Sequence, residues 1–403
     1  MSQNLFTQAV EAARARGRKL FDLTISNPTR VGLQYNSSAI IEAFSSARIL
    51  DYDPQAKGLL QARQTVAAYY REQGTPSTDP ENIVLTTSTS EGYSFVFRLL
   101  CNPGDEILVP KPSYPLFEFL ADLQDVKLVP YPLIYDHGWQ IDLHSLESAA
   151  SARTRGIVLV HPNNPTGSYV KAHEVQILNS ICERRNLALI VDEVFLDYKL
   201  DAAETSASRS PVEQRSTAQG GLSARPDAYG TFAQNQGVLT FTLSGLSKIS
   251  ALPQMKAAWI VTAGPHAPVA AAMERLDVIA DTYLSMNAPV QWALPTLLEG
   301  KTRVQEQLLR RVETNLRELD RQLSSQKTCE RFIVEGGWYA VLRVPVICSD
   351  EELAVALVRE HSVLVHPGHF YDFPNDGYLI LSLIGNPTEF QQGVSCVLDH
   401  FKA

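Results

Sequence analysis

Several features that define other protein classes are scarce or absent in this sequence of 403 residues. Its five cysteines are scattered, odd in number and without a CxxC or metal-ligand spacing. No apolar run reaches membrane-spanning length, and the first residues lack the segments of a signal peptide. The net charge is −9 and there is no basic run, which argues against a nucleic-acid surface. We therefore expect a cytoplasmic protein with reduced cysteines, and no nucleic acid or membrane among its partners.

From residue 83 onward, short apolar strands alternate with helices. The runs Ile107–Pro110, Gly156–Val160 and Leu187–Val191 are almost continuously apolar, which is typical of parallel strands covered on both faces. The pattern predicts an α/β fold, a three-layer sandwich with a mostly parallel central sheet, plus a smaller α+β domain. We place a large domain at 46–291 and a small domain at 1–45 with 292–403.

One long segment interrupts the alternation of strands and helices. Residues 202–236 are dominated by Ser, Ala, Gly, Gln and Arg, with no apolar period. We predict an inserted loop between two sheet strands, because loops of this length are either functional or disordered. The two alternatives are a mobile surface loop and a lid over a site.

A lysine follows one of the buried strands. The apolar run at 237–242 leads into Leu243–Lys248, where Lys248 lies among glycine and serine residues. A pocket that excludes water lowers the pKa of a lysine amine and makes it a nucleophile able to form a Schiff base. A surface lysine in a loop is the simpler explanation for any single lysine, so the case for Lys248 depends on its neighbours.

Four other loops also follow strands, and ligands in open α/β sheets bind outside the carboxyl ends of the strands. These loops supply hydroxyls and amides at a helix start for a phosphate, an aromatic ring for stacking, a carboxamide and a carboxylate. The residues are Ser88, Thr89 and Ser90, then Tyr114, Asn164 and Asp192.

Each of these residues has a simpler explanation when it is taken alone. Ser88 is a good helix N-cap, Tyr114 could pack in the core, and Asn164 before a proline marks a turn. Asp192, at the end of an apolar strand, could cap a helix or form a salt bridge, since a buried carboxylate needs a cationic partner. Together with Lys248, the set fits pyridoxal phosphate, which needs a lysine Schiff base and an acidic partner for its ring nitrogen.

Three motifs follow one another in the sequence: Asn-Asn-Pro-Thr-Gly at 163–167, Asp-Glu-Val-Phe at 192–195 and Ser-Lys at 247–248. With these motifs in this order, the sequence resembles the class I/II aminotransferases of the fold-type I pyridoxal-phosphate enzymes. The resemblance implies that Lys248 carries the cofactor as an aldimine and moves a proton. It also implies that Asp192 pairs with the pyridine nitrogen, Asn164 bonds the phenolic oxygen and Tyr114 stacks on the ring.

The same resemblance implies a phosphate site and a second subunit. Ser88, Thr89, Ser90 and Ser247 would surround the phosphate, with Lys256 at the position where the family usually has an arginine. Tyr52, in a Tyr-x-Pro-x-x-x-Gly stretch, would reach the phosphate of a neighbouring subunit. The expected assembly is a homodimer with shared active sites.

The sequence departs from the family pattern at two positions. In the family, one of them contacts the cofactor and the other binds the substrate. Phe195 stands where the family usually has a tyrosine, so the phenolic oxygen would lose a donor. Ile380 replaces the arginine that clamps the substrate α-carboxylate in the family, and isoleucine cannot form such a bidentate pair. Our hypothesis is that Arg30 has taken over, with the backbone amide of Gly32 beside it. The alternative cations in the small domain are Arg343, His366 and His369.

We predict a pyridoxal-phosphate-dependent aminotransferase that moves an amino group between an amino acid, or a related amine, and a 2-oxo acid. The alternative, motivated by Ile380, is a lyase, decarboxylase or cyclase that uses the same cofactor on a modified amino acid. A third hypothesis is a non-enzymatic ligand-binding or regulatory domain, against which the complete set of Lys248, Asp192 and Asn164 argues.

Overall fold

A computed structural model describes residues 5–75, 78–200 and 228–402. In chain order, its first helices and strands are α1 (Leu5–Ala15), β1 (Phe21–Asp22), α2 (Ser37–Ala43), α3 (Leu60–Glu72), β2 (Ile83–Thr86), α4 (Thr89–Leu100), β3 (Glu106–Lys111), α5 (Phe117–Asp122), β4 (Lys127–Tyr135), β5 (Trp139–Ile141), α6 (Leu143–Ala149), β6 (Thr154–Val160), α7 (Ala172–Arg185) and β7 (Ala188–Asp192). After the gap come β8 (Thr240–Gly245), α8 (Leu246–Ile249), β9 (Ala258–Ala263), α9 (His266–Tyr283), α10 (Ala288–Glu299), α11 (Lys301–Leu323), β10 (Glu330–Arg331), β11 (Tyr339–Arg343), α12 (Asp350–Ala356), β12 (Val363–Leu364), β13 (His366–Pro367), β14 (Tyr378–Ser382) and α13 (Pro387–Asp399). A π-helical turn, Leu357–His361, continues α12.

The central sheet has eight strands in the order β2-β9-β8-β7-β6-β3-β4-β5. Strands β8, β7, β6, β3 and β4 are parallel to one another. Strand β9 is antiparallel to both of its neighbours, so β2 and β8 point in the same direction. The predicted mostly parallel sheet is therefore confirmed. None of the helices in the described ranges is long and apolar enough to cross a membrane.

The two faces of this sheet are covered by different helices, as the apolar strands require. Along β7, Ile190 packs with residues of α4, α5 and α9, such as Leu276. Its neighbours Leu189 and Val191 point to the opposite face and pack with α6 and α7, for example with Leu178. The strand is buried throughout. Helices, sheet and helices thus form the three layers that the sequence predicts.

A second sheet lies in the C-terminal part of the chain. Its four strands, β10-β11-β14-β13, are all antiparallel. Helix α11 buries Val304, Leu308, Val312 and Leu316 at intervals of one helical turn against this part of the core. The N-terminal segment contacts this part of the chain through β1, which forms a separate two-stranded parallel sheet with β12. The domain limits 46–291, 1–45 and 292–403 stay a prediction.

The segment 202–236, predicted to be an inserted loop, lies mostly outside the described residues. Its last part, 228–236, includes a short 3-10 turn, Phe232–Gln234, in which Phe232 is completely buried. The carboxylate of Glu193, directly after β7, accepts hydrogen bonds from the Phe232 amide at 2.6 Å and the Thr231 hydroxyl at 2.7 Å. This end of the segment therefore belongs to the core.

Glu193 makes stability depend on pH. Burial raises the pKa of its carboxyl from 4.5 to about 8, and the hydrogen bonds from Phe232 and Thr231 oppose that rise only in part. Because the pKa in the folded chain is higher than in the unfolded chain, folding is favoured at low pH, and this contribution is lost as the pH rises through about 8. We expect Glu193→Gln to flatten the fall in melting temperature between pH 5 and 8.5. Thermal denaturation of the cofactor-free chain at several pH values measures this, with the exposed Glu274→Gln as the control. An unchanged slope in Glu193→Gln would contradict the assignment.

Candidate active site

The site is built where neighbouring parallel strands end. Strand β7 ends at Asp192, whose register partner on β8 is Leu243. Three residues later β8 passes into the single turn α8, which carries Lys248. Because both strands run in the same direction, the sheet brings Asp192 and Lys248 to the same edge, as the sequence predicts.

The amino group of Lys248 lies against two aromatic rings. Its Nζ is 4.7 Å from the centre of the Trp338 ring and 5.4 Å from that of Phe195. The Tyr198 hydroxyl donates a hydrogen bond to the Lys248 carbonyl at 2.7 Å. Sequence reasoning missed Trp338 and Tyr198, because no local pattern shows that the β11 strand starts beside a lysine 90 residues earlier in the chain.

Burial acts in opposite directions on the two charged groups. It lowers the pKa of Lys248 from 10.5 to about 8, while the nearby Asp192 carboxylate raises it. Burial raises the pKa of Asp192 from 3.8 to about 6, and its hydrogen bonds and Lys248 lower it. These bonds come from the Val194 amide at 3.1 Å and the Tyr93 hydroxyl at 3.3 Å. The neutral, nucleophilic form of Lys248 that Schiff-base chemistry requires is therefore much more populated near neutral pH than in an ordinary exposed lysine.

The two adjacent asparagines of the Asn-Asn-Pro-Thr-Gly segment have different surroundings. Asn163 donates to the Ser113 hydroxyl at 3.4 Å, and its Oδ1 accepts from the hydroxyl and amide of Thr166. The Oδ1 atom of Asn164 is buried and has no hydrogen-bond partner among the described residues. Asn163 thus holds the turn together, whereas Asn164 keeps a polar group free for a ligand.

Tyr114 lies on the same side of the sheet as Asp192. Burial, together with the Asp192 carboxylate, raises the pKa of the Tyr114 phenol to about 12. Its ring meets Phe117 edge-on at 5.9 Å between centroids. Tyr114 therefore packs against the core and also lies near the candidate site.

The Ser88–Ser90 stretch begins helix α4, and Ser88 is its N-cap. The Ser88 hydroxyl oxygen accepts from the Glu91 amide at 3.2 Å, and the Glu91 carboxylate accepts from the Thr87 amide at 2.7 Å. The Ser-x-x-Glu pattern signals a helix start of this kind, although here the Glu91 carboxylate accepts from the amide of Thr87 and not from that of the N-cap. The amides of Thr89 and Ser90 lie in the first turn, where a helix provides no carbonyl partner. N-capping is therefore observed, and it leaves these two amides available to an anion.

Five further predicted residues differ in where the structure places them. Arg30, Gly32, Lys256 and Tyr52 are exposed, and Ser247 is partly buried beside Lys248. Arg30 ends a short 3-10 turn, and Lys256 caps another with a left-handed backbone. Within the described part of the chain, no hydrogen bond or ion pair joins any of the five to Lys248 or Asp192. The structure thus brings Lys248, Asp192, Asn164 and Tyr114 to one edge of the sheet, with Ser247 next to Lys248 on α8, while Arg30, Gly32, Lys256 and Tyr52 lie on exposed parts of the described chain.

The position of Ile380 shows what replaces an arginine there. Ile380 is completely buried in β14, with Val341 opposite it on β11 and His366 opposite it on β13. Tyr339 pairs with Ser382, two residues along β14, so Ile380 and Tyr339 share one face of the sheet. Tyr339 in turn lies 6.3 Å from Phe195 between ring centroids, so this face is directed towards the site.

The alternative cations of the small sheet are poorly suited to bind a carboxylate. Arg343 is exposed and lies 3.4 Å from the Glu330 carboxylate, and His369 is exposed. Burial lowers the pKa of His366, although Asp22 raises it, and Nδ1 lies 3.2 Å from the Tyr371 hydroxyl. His366 is therefore predominantly neutral at pH 7 and can offer a hydrogen bond but little charge.

Residues 19–385 match the family described as aminotransferase class I and II. The chain belongs to this family. The chain is 28% identical over 378 residues to the glutamate-pyruvate aminotransferase AlaA of Haemophilus influenzae. This alignment covers 91% of this chain and 87% of that one. The chain is 26% identical over 381 residues to the alanine aminotransferase of Mycobacterium tuberculosis, covering 91% and 82%. An aminotransferase structure from Escherichia coli superposes with a TM-score of 0.83 at 22% identity, covering 100% and 95%.

These comparisons confirm the predicted fold type and the predicted class of reaction. The curated relatives are aminotransferases, which favours an aminotransferase over the alternative lyase, decarboxylase or cyclase. The enzyme therefore moves an amino group between an amino acid and a 2-oxo acid. The roles of individual residues depend on the geometry described above.

The opposed effects of burial on Lys248 and Asp192 can be measured directly. We expect the rate at which an amine-reactive reagent labels Lys248 to rise with pH to a midpoint of about 8, because only the neutral amine reacts. In Asp192→Asn the midpoint should move lower, since the carboxylate that favours the charged amine is gone. Peptide mass spectrometry of the cofactor-free chain measures both rates, with the exposed Lys327 as an internal reference. A midpoint near 10.5 in the unaltered chain would contradict the assignment.

Proposed function

We propose that this enzyme is a pyridoxal-phosphate-dependent aminotransferase in which Lys248 is the catalytic lysine. The observation that carries the proposal is the Lys248 amino group, held against Trp338 and Phe195 and coupled to Asp192. An amine with this environment is poised both to form a Schiff base and to take and return a proton near neutral pH.

The residues at this edge fit the cofactor. Asp192 is a buried carboxylate that needs a cationic partner, and a protonated pyridine nitrogen provides one. The carboxamide of Asn164 has a buried atom without a partner, suited to a phenolic oxygen. Tyr114 supplies an aromatic ring, and it lies close enough to Asp192 for that carboxylate to raise the pKa of its phenol. When bound, pyridoxal phosphate supplies an electron sink for the negative charge that develops on the substrate carbon.

Each residue then has a defined task. Asp192 holds a proton at the pyridine nitrogen, and the Val194 amide and Tyr93 hydroxyl keep its carboxylate in place. Lys248 moves a proton to and from the substrate α-carbon, while the surrounding aromatic rings limit access of water. Tyr198 anchors the backbone from which Lys248 reaches.

The phosphate would lie at the start of helix α4. The free amides of Thr89 and Ser90 and the positive end of the helix dipole favour an anion there. The Ser88 hydroxyl can still donate its proton, because as an N-cap it uses only an oxygen lone pair. Ser247 and Lys256 complete the proposed set, as the family resemblance suggests.

The proposed assembly is a homodimer that shares its active sites, and we keep a cytoplasmic location as a prediction. Leu50 and Tyr52 are each 84% exposed and Ile41 is 70% exposed, so this part of the chain presents apolar side chains to solvent. Tyr52 also borders a cleft of about 320 Å³ together with Leu284 and Trp292. A second copy covering this surface would bury these residues. Tyr52 would then lie near the phosphate site of that second copy.

The substrates proposed first follow from the names of the relatives: glutamate as donor with pyruvate as acceptor, and, in the reverse direction, alanine as donor with 2-oxoglutarate as acceptor. The carboxylate would be bound by Arg30 with the Gly32 amide, because Ile380 offers no polar group and His366 is predominantly neutral at pH 7. Arg30 is exposed, which suits a residue that meets its partner only when substrate enters.

Removing the lysine tests the cofactor assignment. In Lys248→Ala we expect aminotransferase turnover to fall by more than about 100-fold, because acid–base catalysis at the substrate carbon is lost. The visible absorbance of cofactor bound to the lysine should disappear in the same variant. Absorbance spectra and a coupled assay with alanine and 2-oxoglutarate measure the two effects. Lys327→Ala, which removes an exposed lysine, should change neither, and a Lys248→Ala protein that keeps the absorbance would overturn the assignment.

Arg30 has its own test. If its guanidinium binds the substrate carboxylate, Arg30→Ala should lower kcat/KM for amino donors by about 10- to 100-fold, mostly through KM, since charge-assisted hydrogen bonds contribute about 1.5–3 kcal/mol. Arg30→Lys should recover only part of this, because lysine lacks the planar fork. The matched control is the exposed Arg275→Ala on helix α9. Steady-state kinetics decide, and an unchanged KM for every accepted donor would exclude Arg30 from this role.

A further inference from the structure

A group of possible metal ligands lies away from the active site, at the end of the C-terminal helix. Within the described part of the chain, Glu360, His361 and His400 each offer one ligand atom, and all three atoms lie within 4.8 Å of one another. The two histidines are partly buried and Glu360 is exposed. The aminotransferase reaction described above uses none of these residues.

The spacing of the two imidazoles fits a shared metal ion. Nδ1 of His400 lies 3.2 Å from Nε2 of His361. Two nitrogens bound tetrahedrally at about 2.1 Å to one zinc ion lie about 3.4 Å apart. The pair therefore needs almost no movement to coordinate an ion. A hydrogen bond between two neutral imidazoles has a similar length, so this distance alone does not distinguish the two.

Glu360 supplies the observation that favours a metal. Its Oε2 lies 3.8 Å from Nδ1 of His400, the same nitrogen that faces His361. Together with the two imidazole nitrogens, this carboxylate oxygen provides the third ligand atom that a zinc site with one open position needs. Because the Glu360 side chain is 62% exposed, it can shift by a fraction of an ångström without disturbing the core.

The backbone also presents the ligands in an unusual way. Glu360 and His361 end the π-helical turn Leu357–His361, and Ser362 follows it with a left-handed backbone. Turns of this kind are rare and occur frequently at functional sites. His400 caps the end of helix α13. The site thus joins the ends of two helical segments that are 39 residues apart in sequence.

We propose that Glu360, His361 and His400 bind a divalent transition-metal ion of the zinc class, with three protein ligands and one position open to water. Two imidazoles and one carboxylate are ligands that zinc accepts in this number. A bound metal ion would cross-link α13 to the π-helical turn before β12. Because the Ser362 carbonyl accepts from the Phe21 amide at 2.8 Å, this cross-link would also stabilise the position of β1 and the N-terminal segment.

Zinc titration of the full chain, after dialysis against a chelator, tests the proposal. We expect one zinc ion per chain, with the affinity reduced at least about tenfold in His400→Ala and in Glu360→Gln, because even residues that only support a ligand change affinity by about 10- to 100-fold. The control is the exposed His173→Ala, which should bind zinc as the unaltered chain does. Calorimetry measures the affinities, and the melting temperature should rise with zinc in the unaltered chain and the control only.

Cobalt provides a second readout that does not depend on stability. Co²⁺ at a site with two imidazoles and a carboxylate should give the visible absorption of a four-coordinate ion, and this absorption should be absent in His400→Ala. Glu360→Gln changes an exposed side chain, so it keeps the test valid if His400→Ala fails to fold. Zinc binding of equal affinity in the unaltered chain, Glu360→Gln and His400→Ala would overturn the proposal, as would no binding at all.

Discussion

The candidate active site depends on two opposite charges held at one edge of a parallel sheet, Asp192 buried and Lys248 partly buried. The desolvation that raises the pKa of Asp192 also lowers that of Lys248, and their mutual attraction offsets part of both effects. Neither group could be buried alone at low cost. Their position follows from the fold, since β7 and β8 are neighbours in the sheet and end side by side. The reactivity of the lysine is therefore a consequence of how the strands are ordered.

The second sheet completes this site from the other side. Trp338, directly before β11, provides the ring nearest to the lysine amine. Several contacts hold the segment before β11 against the large domain: Lys171 forms a partly buried ion pair with Glu335, and the Gly337 amide donates to the Tyr198 carbonyl at 2.9 Å. Tyr198 also binds the Lys248 backbone. Because Tyr198 contacts both Gly337 and Lys248, a shift of the segment before β11 would also shift the backbone that carries the lysine.

Much of this could be predicted from the sequence because the informative patterns are local. Buried strands and the loops after them can be recognised within a few residues, which located Lys248, Asp192 and Asn164. Contacts between distant segments could not be predicted: no local signal joins Trp338 to the lysine, and Phe232 is buried in a segment without an apolar period. N-capping by Ser88 was an open alternative, and only the hydrogen bonds at the helix start show it. The different roles of Asn163 and Asn164 also appear only from their hydrogen bonds.

The two halves of the site differ in how closely they follow the family pattern, and the reason is physical. The residues proposed to serve the cofactor would all face one fixed chemical structure, which constrains their types. Ile380 is completely buried in β14, where a guanidinium would have to be paired with substrate to offset the cost of its burial. Isoleucine removes that cost and stabilises the sheet whether or not substrate is present. An exposed arginine such as Arg30 has little desolvation to offset, so the carboxylate anchor proposed for it would separate substrate recognition from the stability of the small sheet.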